Sequence, residues 1–167
     1  MARIDLPAGD GLDVGKALMV APHFIDVVVG YEKAIAASPL DPRLHELIRY
    51  RIALLNQCTV CLDFRRPDAL AAGLDEQTLL SVDDPDSPFL TEPERRAIRF
   101  AELFCTDSPA IPDELIAQLQ QDLGVAGVTD LALVVGKYLA MGRFMQVLGL
   151  DQACRIDPDR LAGVAAT

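Results

Sequence analysis

The chain has no tryptophan, and aromatic residues fill only 5% of its 167 positions. Its core must therefore rest on Ala, Leu, Val and Ile rather than on large rings. An excess of positive charge is missing as well. Lysine and arginine number 15 against 25 aspartates and glutamates, a formal net charge of −10. That balance argues against nucleic acid or an anionic membrane as a partner, since both attract cationic proteins. The opening MARIDLPAGD lacks the basic-then-apolar order of a secretory leader. The apolar run Leu131 to Val135 is far short of the ~20 residues a membrane span needs. Strand-like alternation, internal repeats and low-complexity tracts are absent too. What remains is a soluble, cytoplasmic, all-α chain whose length suits one domain over 1–167. Its hydrophobic fraction of 51% exceeds what one small core needs, which points to subunit contacts.

Cysteine is scarce, and two of the four cysteines stand together as Cys58-Thr-Val-Cys61. Cys105 and Cys154 stand alone and read as buried apolar fillers. Neither has a second CxxC around it, so a four-ligand zinc site is not expected. In a reducing cytosol a CxxC points to chemistry more than to structure. Residues at i and i+3 share a helical face, and their Cα separation there falls within disulfide range. The pair can then open and close with little backbone movement. Either thiol is a candidate attacker. Cys58 lies in the first turn of a helix, where the dipole favours thiolate, and Cys61 has a guanidinium, Arg65, one turn on.

Other reactive side chains gather nearby. Glu46 lies twelve positions before Cys58, beside an apolar stripe of Leu44, Leu47, Ile48, Ile52 and Leu55. There it is expected to be half-buried and able to serve as acid or base. His45 is about 100° further round that helix and should point elsewhere. Asp63 reads as a helix-start charge. Arg65 is expected to pair with Glu46 or Asp63.

The pattern predicts a bundle of about seven helices. Short helices cover Val14 to Val20 and Asp75 to Leu80, and a longer one runs from His23 to Ala37 behind Pro22. Asp41 and Pro42 open a helix that ends near Leu55. A turn leads to a cysteine helix from Thr59 to Ala72, with Gly73 after it and Pro67 inside it to kink or divide it. Thr91 to Glu94 forms a capping box for a helix reaching Cys105. A further helix runs from Pro112 or Asp113 to Gly124. Thr129 caps a last one to Leu148, apolar nearly all round, with Gly136 and Gly142 allowing close approach.

Glu46, eleven intervening residues, then Cys58-Thr-Val-Cys61-Leu-Asp63 resembles the alkyl hydroperoxidase D-like (AhpD-like) branch of the carboxymuconolactone decarboxylase family, whose members read Glu-x11-Cys-x-x-Cys-x-Asp-x-His. Residues 90–97 and 111–115 are similar to its later helix starts. The resemblance implies an AhpD-like helical bundle and a redox-active dithiol, with catalytic roles for Cys58, Cys61 and Glu46 and supporting roles for Asp63 and Arg65. It implies a peroxidase of peroxiredoxin type, or a thiol–disulfide oxidoreductase, acting on a peroxide or a protein disulfide. No bound cofactor or metal is implied; a lipoyl or thioredoxin-like dithiol would restore the thiols. It also implies a homotrimer or homohexamer. The family's relay histidine falls on Arg65, and an arginine does not pass a proton at any working pH. Two alternatives stand beside this reading. One is lactone decarboxylation, the family's other activity, which the CxxC disfavours. The other is a non-catalytic oligomeric module with vestigial thiols.

Overall fold

A computed structural model describes residues 2–150 of the protein. Cys154 and the weakly patterned tail from Asp151 lie outside the described residues. Within them the fold is all-α: α1 (Asp13–Val20), α2 (Ile25–Ala36), α3 (Pro42–Leu55), α4 (Thr59–Asp63), α5 (Pro67–Ala71), α6 (Glu76–Leu80), α7 (Glu92–Thr106) and α8 (Asp113–Leu148). Single 3-10 turns precede α2 and α8.

α3 is the axis of the bundle and packs against α4, α5, α7 and α8. Asp41 starts it: its carboxylate accepts from the backbone N–H groups of Arg43 and Leu44, and Pro42 takes the first helical position. Every residue from Leu44 to Tyr50 is buried. This is a correction to the one-sided stripe, because neighbours cover α3 on several sides, so His45 and Glu46 are interior as well. The main core joins Leu47, Ile48 and Ile52 of α3 to Ala97, Phe100 and Ala101 of α7 and Leu131, Val134 and Val135 of α8.

The capping box is formed. The Thr91 hydroxyl accepts from the Glu94 N–H, and the Glu94 carboxylate accepts from the Thr91 N–H. Arg43 holds the same carboxylate at 2.7 Å, which ties the start of α7 to the start of α3.

The cysteine helix divides at Pro67, one of the two outcomes expected there, into α4 and α5. Arg66 is extended at φ −71°, ψ 122°, the conformation a residue before proline prefers, and Pro67 then starts α5. In α8 the break falls at Gly124, whose φ of 71° and ψ of 171° are non-helical, and the helix resumes at once. Thr129 is therefore no cap; its hydroxyl donates to the Val125 carbonyl one turn back.

α8 is long and apolar enough to cross a membrane by length and composition, although its short apolar runs do not suggest this. It packs on α3 and α7 and leaves Val125, Leu133 and Val147 exposed. Gly142 gives the close approach expected of it. A Cβ there would meet the Asn56 amide nitrogen at 2.1 Å. At Gly136 a Cβ would find only ordinary contacts of 3.8 Å or more.

Candidate functional site

The turn after α3 sets up the cysteine pair. Gln57 takes the left-handed conformation, φ 53°. Its N–H donates to the Leu54 carbonyl, and the Cys58 N–H donates to the Ala53 carbonyl at 3.0 Å. This is a Schellman termination with glutamine where glycine is usual. It reverses the chain so that Cys58 sits just ahead of α4. The Cys61 N–H donates to Cys58 Sγ at 3.4 Å, and the two cysteines form a disulfide with Cα atoms 5.3 Å apart. Cys61 is buried at 7% exposure, while Cys58 is half-buried.

Glu46 is not half-buried, as its place beside a stripe suggested, but fully enclosed. Its carboxylate is gripped by Arg49 one turn on, with Nε 2.6 Å from one oxygen and Nη2 2.7 Å from the other. This fork-to-fork pairing is the strong geometry for a carboxylate. The Arg66 N–H adds a third bond at 3.3 Å. Arg49 in turn donates to the Cys61 carbonyl at 2.6 Å and the Phe64 carbonyl at 2.9 Å. Glu46 and Arg49 together therefore fasten the end of α4 to α3.

Arg65 requires a correction. Its expected partners were Glu46 or Asp63, but it pairs with Glu76 at the start of α6, at 2.5 Å. It also donates to the Leu62 and Phe64 carbonyls and lies 5.1 Å over the Tyr50 ring. The division at Pro67 swings this segment toward α6. Asp63 is exposed and closes α4 rather than opening it, so the helix-start reading does not hold.

A cavity of about 330 Å³ opens beside Cys61. α3 contributes Arg49, Ile52 and Asn56 to its wall, the α4–α5 segment Phe64, Arg66 and Asp68, α2 Glu32, and α8 Lys137, Tyr138, Met141 and Met145. Cys58 and Arg65 are not on this wall. The cations are each matched: Lys137 Nζ is 2.6 Å from Glu32, and Arg66 pairs with Asp68 at 2.5 Å. The Arg66 bond holds the Asp68 carboxyl below its usual range. Burial pushes the Lys137 ammonium below the usual lysine range. Burial also pushes Tyr138 up to about 12. His45 lies behind the wall with Nε2 3.1 Å from the Tyr138 hydroxyl. Burial, reinforced by the Arg66 charge, lowers His45 to about 3, so it is a neutral interior group and not a solvent-facing one. Asn56 Nδ2 donates to the Tyr138 carbonyl at 3.2 Å, while its buried Oδ1 has no hydrogen-bond partner among the described residues.

Cys105 is half-buried on α7, and burial raises its thiol to about 11, in keeping with an inert filler.

The expected cluster is thus partly assembled. Cys58, Cys61 and Glu46 come together through Arg49, whereas Asp63 and Arg65 face elsewhere. The pattern alone does not single out Arg49, Arg66, Asn56, Lys137 or Tyr138. Two signals were present. Arg49 sits at i+3 from Glu46 on the same helix. Lys137 is the lone charge in the apolar stretch 131–142.

The model of the carboxymuconolactone decarboxylase family matches residues 22–102. The uncharacterized protein YnjA of Escherichia coli is 29% identical over 141 residues, 83% of this chain and 77% of that protein. The uncharacterized protein YdfG of Bacillus subtilis is 24% identical over 132 residues, 78% of this chain and 90% of that protein. A crystal structure of a protein of unknown function from Agrobacterium tumefaciens, suggested to be the antioxidant defence protein AhpD, superposes with a TM-score of 0.73 at 20% identity. The match covers 93% of this chain and 99% of that one, so the two share a fold.

Proposed function

We propose that this chain, whose residues 22–102 match the model of the carboxymuconolactone decarboxylase family, is an AhpD-like dithiol peroxidase that also exchanges thiols with a protein dithiol. The observation that carries the reading is the Cys58–Cys61 disulfide, with Cys61 on the wall of a cavity and Cys58 not on it. The cavity assigns the two thiols different work. Cys61 is the attacking thiol, because it faces the space where a small substrate fits. Arg49, Arg66 and Lys137 line that space, each matched by a carboxylate, and a cation near a thiol favours thiolate.

The Cys61 thiolate attacks the peroxide; an S–O bond forms as the O–O bond breaks, and the leaving oxygen takes a proton and departs as alcohol or water. Cys58 then attacks the sulfenic acid. The S–S bond forms, and hydroxide leaves with the Cys58 proton as water. A lipoyl or thioredoxin-like dithiol reduces the disulfide by exchange, entering at the more accessible Cys58. Glu46 acts by position, holding Arg49 on the Cys61 and Phe64 carbonyls. Arg65 and Asp63 lie outside the chemistry. The protein works in the cytoplasm as a homotrimer or homohexamer, with the exposed apolar residues of α8 at subunit contacts.

The test is peroxide consumption with dihydrolipoamide as reductant. Native protein should turn over, and Cys61→Ser should abolish turnover. Cys58→Ser should still be oxidised once by peroxide but stop there. Native thiols that peroxide leaves reduced would sink the peroxidase reading. Lactone decarboxylation surviving both serine substitutions would put the family's other activity in its place.

A further inference from the structure

We propose that Lys137 is the proton donor to the leaving oxygen of the peroxide in the cavity beside Cys61. This inference rests on the peroxidase reading and adds to it the group that completes the reaction.

The leaving oxygen departs as an anion unless it is protonated, and a positioned general acid contributes typically 10²–10⁴-fold. Each titratable group around the cavity can be weighed for that task. Arg49 and Arg66 hold their protons at any working pH. Glu46 on α3 is locked by Arg49 and the Arg66 N–H. Asp68 is held ionised by Arg66. His45 is neutral at neutral pH, and its Nε2 is engaged by Tyr138. Tyr138 is a weak acid at about 12. Glu32 on α2 accepts from Lys137.

Lys137 differs from all of these. Its ammonium carries three protons, and the bond to Glu32 accounts for one. It is 6% exposed, so its place is fixed by packing and by the Glu32 bond. Burial and the neighbouring Arg49 and Arg66 charges make it a stronger acid than a free lysine. Cys61 shares its cavity, whose volume is at the lower end of the ~300–1,000 Å³ typical of ligand pockets. Both residues line that one space, so a molecule filling it lies against both.

Asn56 supplies an independent sign of a ligand. It is 2% exposed and on the cavity wall, and its buried Oδ1 has no hydrogen-bond partner among the described residues, so a turn of the side chain would offer an acceptor to a hydroperoxide O–H. Ile52, Phe64, Met141 and Met145 line the remainder and suit a compact apolar body. Hydrogen peroxide would leave that surface uncovered.

The step balances. The Cys61 thiolate gains the terminal oxygen and is oxidised to the sulfenic level. The peroxide is reduced to an alcohol with the proton from Lys137. The resulting neutral amine recovers a proton from water before the next turnover.

The experiment is single-turnover oxidation of pre-reduced protein by tert-butyl hydroperoxide, followed by loss of free thiol, in native protein, Lys137→Arg and Lys137→Met. Arginine keeps the charge and the pairing with Glu32, so that variant should fold even if methionine does not. Lys137→Arg should oxidise about 10²–10⁴-fold more slowly than native. Its iodoacetamide alkylation rate should stay at the native level, because thiolate stabilisation needs only charge. The native oxidation rate should fall on the alkaline side as Lys137 loses its proton, and Lys137→Arg should lack that limb. Added ethylamine should restore part of the rate in Lys137→Met. Oxidation of Lys137→Arg at the native rate overturns the Lys137 assignment and leaves the peroxidase reading standing. A matching loss of alkylation overturns it as well, since Lys137 would then act only on the thiolate. Native thiols that exchange with dihydrolipoamide but ignore the hydroperoxide overturn both.

Discussion

Lowering the pH tests the interior position of His45 directly. The imidazole has an ordinary value of 6.5 and is held at about 3 in the folded chain, chiefly by burial and then by Arg66. Lys137 and Arg49 also disfavour its charged form, and Asp68 opposes them. The folded state therefore refuses a proton that the unfolded state accepts. The contribution to stability is intact above pH 6.5 and is lost as the pH falls from there toward 3. At pH 5 the unfolded imidazole is mostly charged and the folded one is not. With 1.36 kcal/mol per unit, that single group removes about 2 kcal/mol of stability relative to pH 8. Urea midpoints at pH 8, 6.5 and 5 measure it. A loss of about 2 kcal/mol is a shift on the order of 1 M urea at ordinary slopes. The control is His45→Gln, which keeps a polar group for the Tyr138 hydroxyl but cannot charge. The variant will be less stable at pH 8, but it should lose about 2 kcal/mol less than native between pH 8 and 5. Equal losses in native and variant would refute the argument, because the acid sensitivity would then belong to other groups.

Three further outcomes follow from local geometry. Gly142→Ala drives a methyl into the Asn56 amide and should cost about 1–3 kcal/mol by urea unfolding, whereas Gly136→Ala should be close to neutral. Gln57→Gly relieves a left-handed residue and should raise stability by up to about 1 kcal/mol, with the disulfide still closing under mild oxidant. Arg49→Met leaves the Glu46 charge buried and unties the Cys61 and Phe64 carbonyls, so it should cost about 3–5 kcal/mol and slow closure of the disulfide after thiol oxidation.

The helices were largely legible in the sequence because their signals are local. Asp41-Pro42 and Thr91-Glu94 act within one turn, and each starts its helix where the pattern says. The cysteine pair and Glu46 were legible for the same reason. Other features depend on distant partners. Burial of α3 on several sides could not be read from a stripe, because helices far along the chain provide the cover. The Lys137–Glu32 pair joins α8 to α2, and no spacing rule links the two positions. At Gly124 the break was visible, but the neighbouring Thr129 looked like a cap. A threonine can instead return its hydroxyl to the carbonyl one turn back, and here it does. The division at Pro67 had the largest consequence. It turned Arg65 toward α6 and put the backbone of Arg66 on Glu46.

That turn reverses what the sequence suggests for Arg65→His. By spacing, position 65 is the relay position, and histidine there is expected to restore proton transfer. In the structure position 65 is not on the cavity wall, and its side chain reaches Glu76 and Tyr50. A histidine is shorter than an arginine, so it could approach Cys61 only if the α4–α5 segment moved. The Glu46–Arg49 bonds to that segment resist such movement. Arg65→His should thus leave single-turnover oxidation of the thiols by peroxide at the native rate. The stability cost should also be small. Glu76 has a side chain 57% exposed, and an ion pair open to solvent is worth roughly 0–1 kcal/mol. The measurement is the oxidation rate across pH 5–9 beside the urea midpoint. A rate increase in Arg65→His, with a new limb near the ordinary histidine value of about 6.5, would show that position 65 reaches the reacting atoms, and the assignment of the proton to Lys137 would lose its reason.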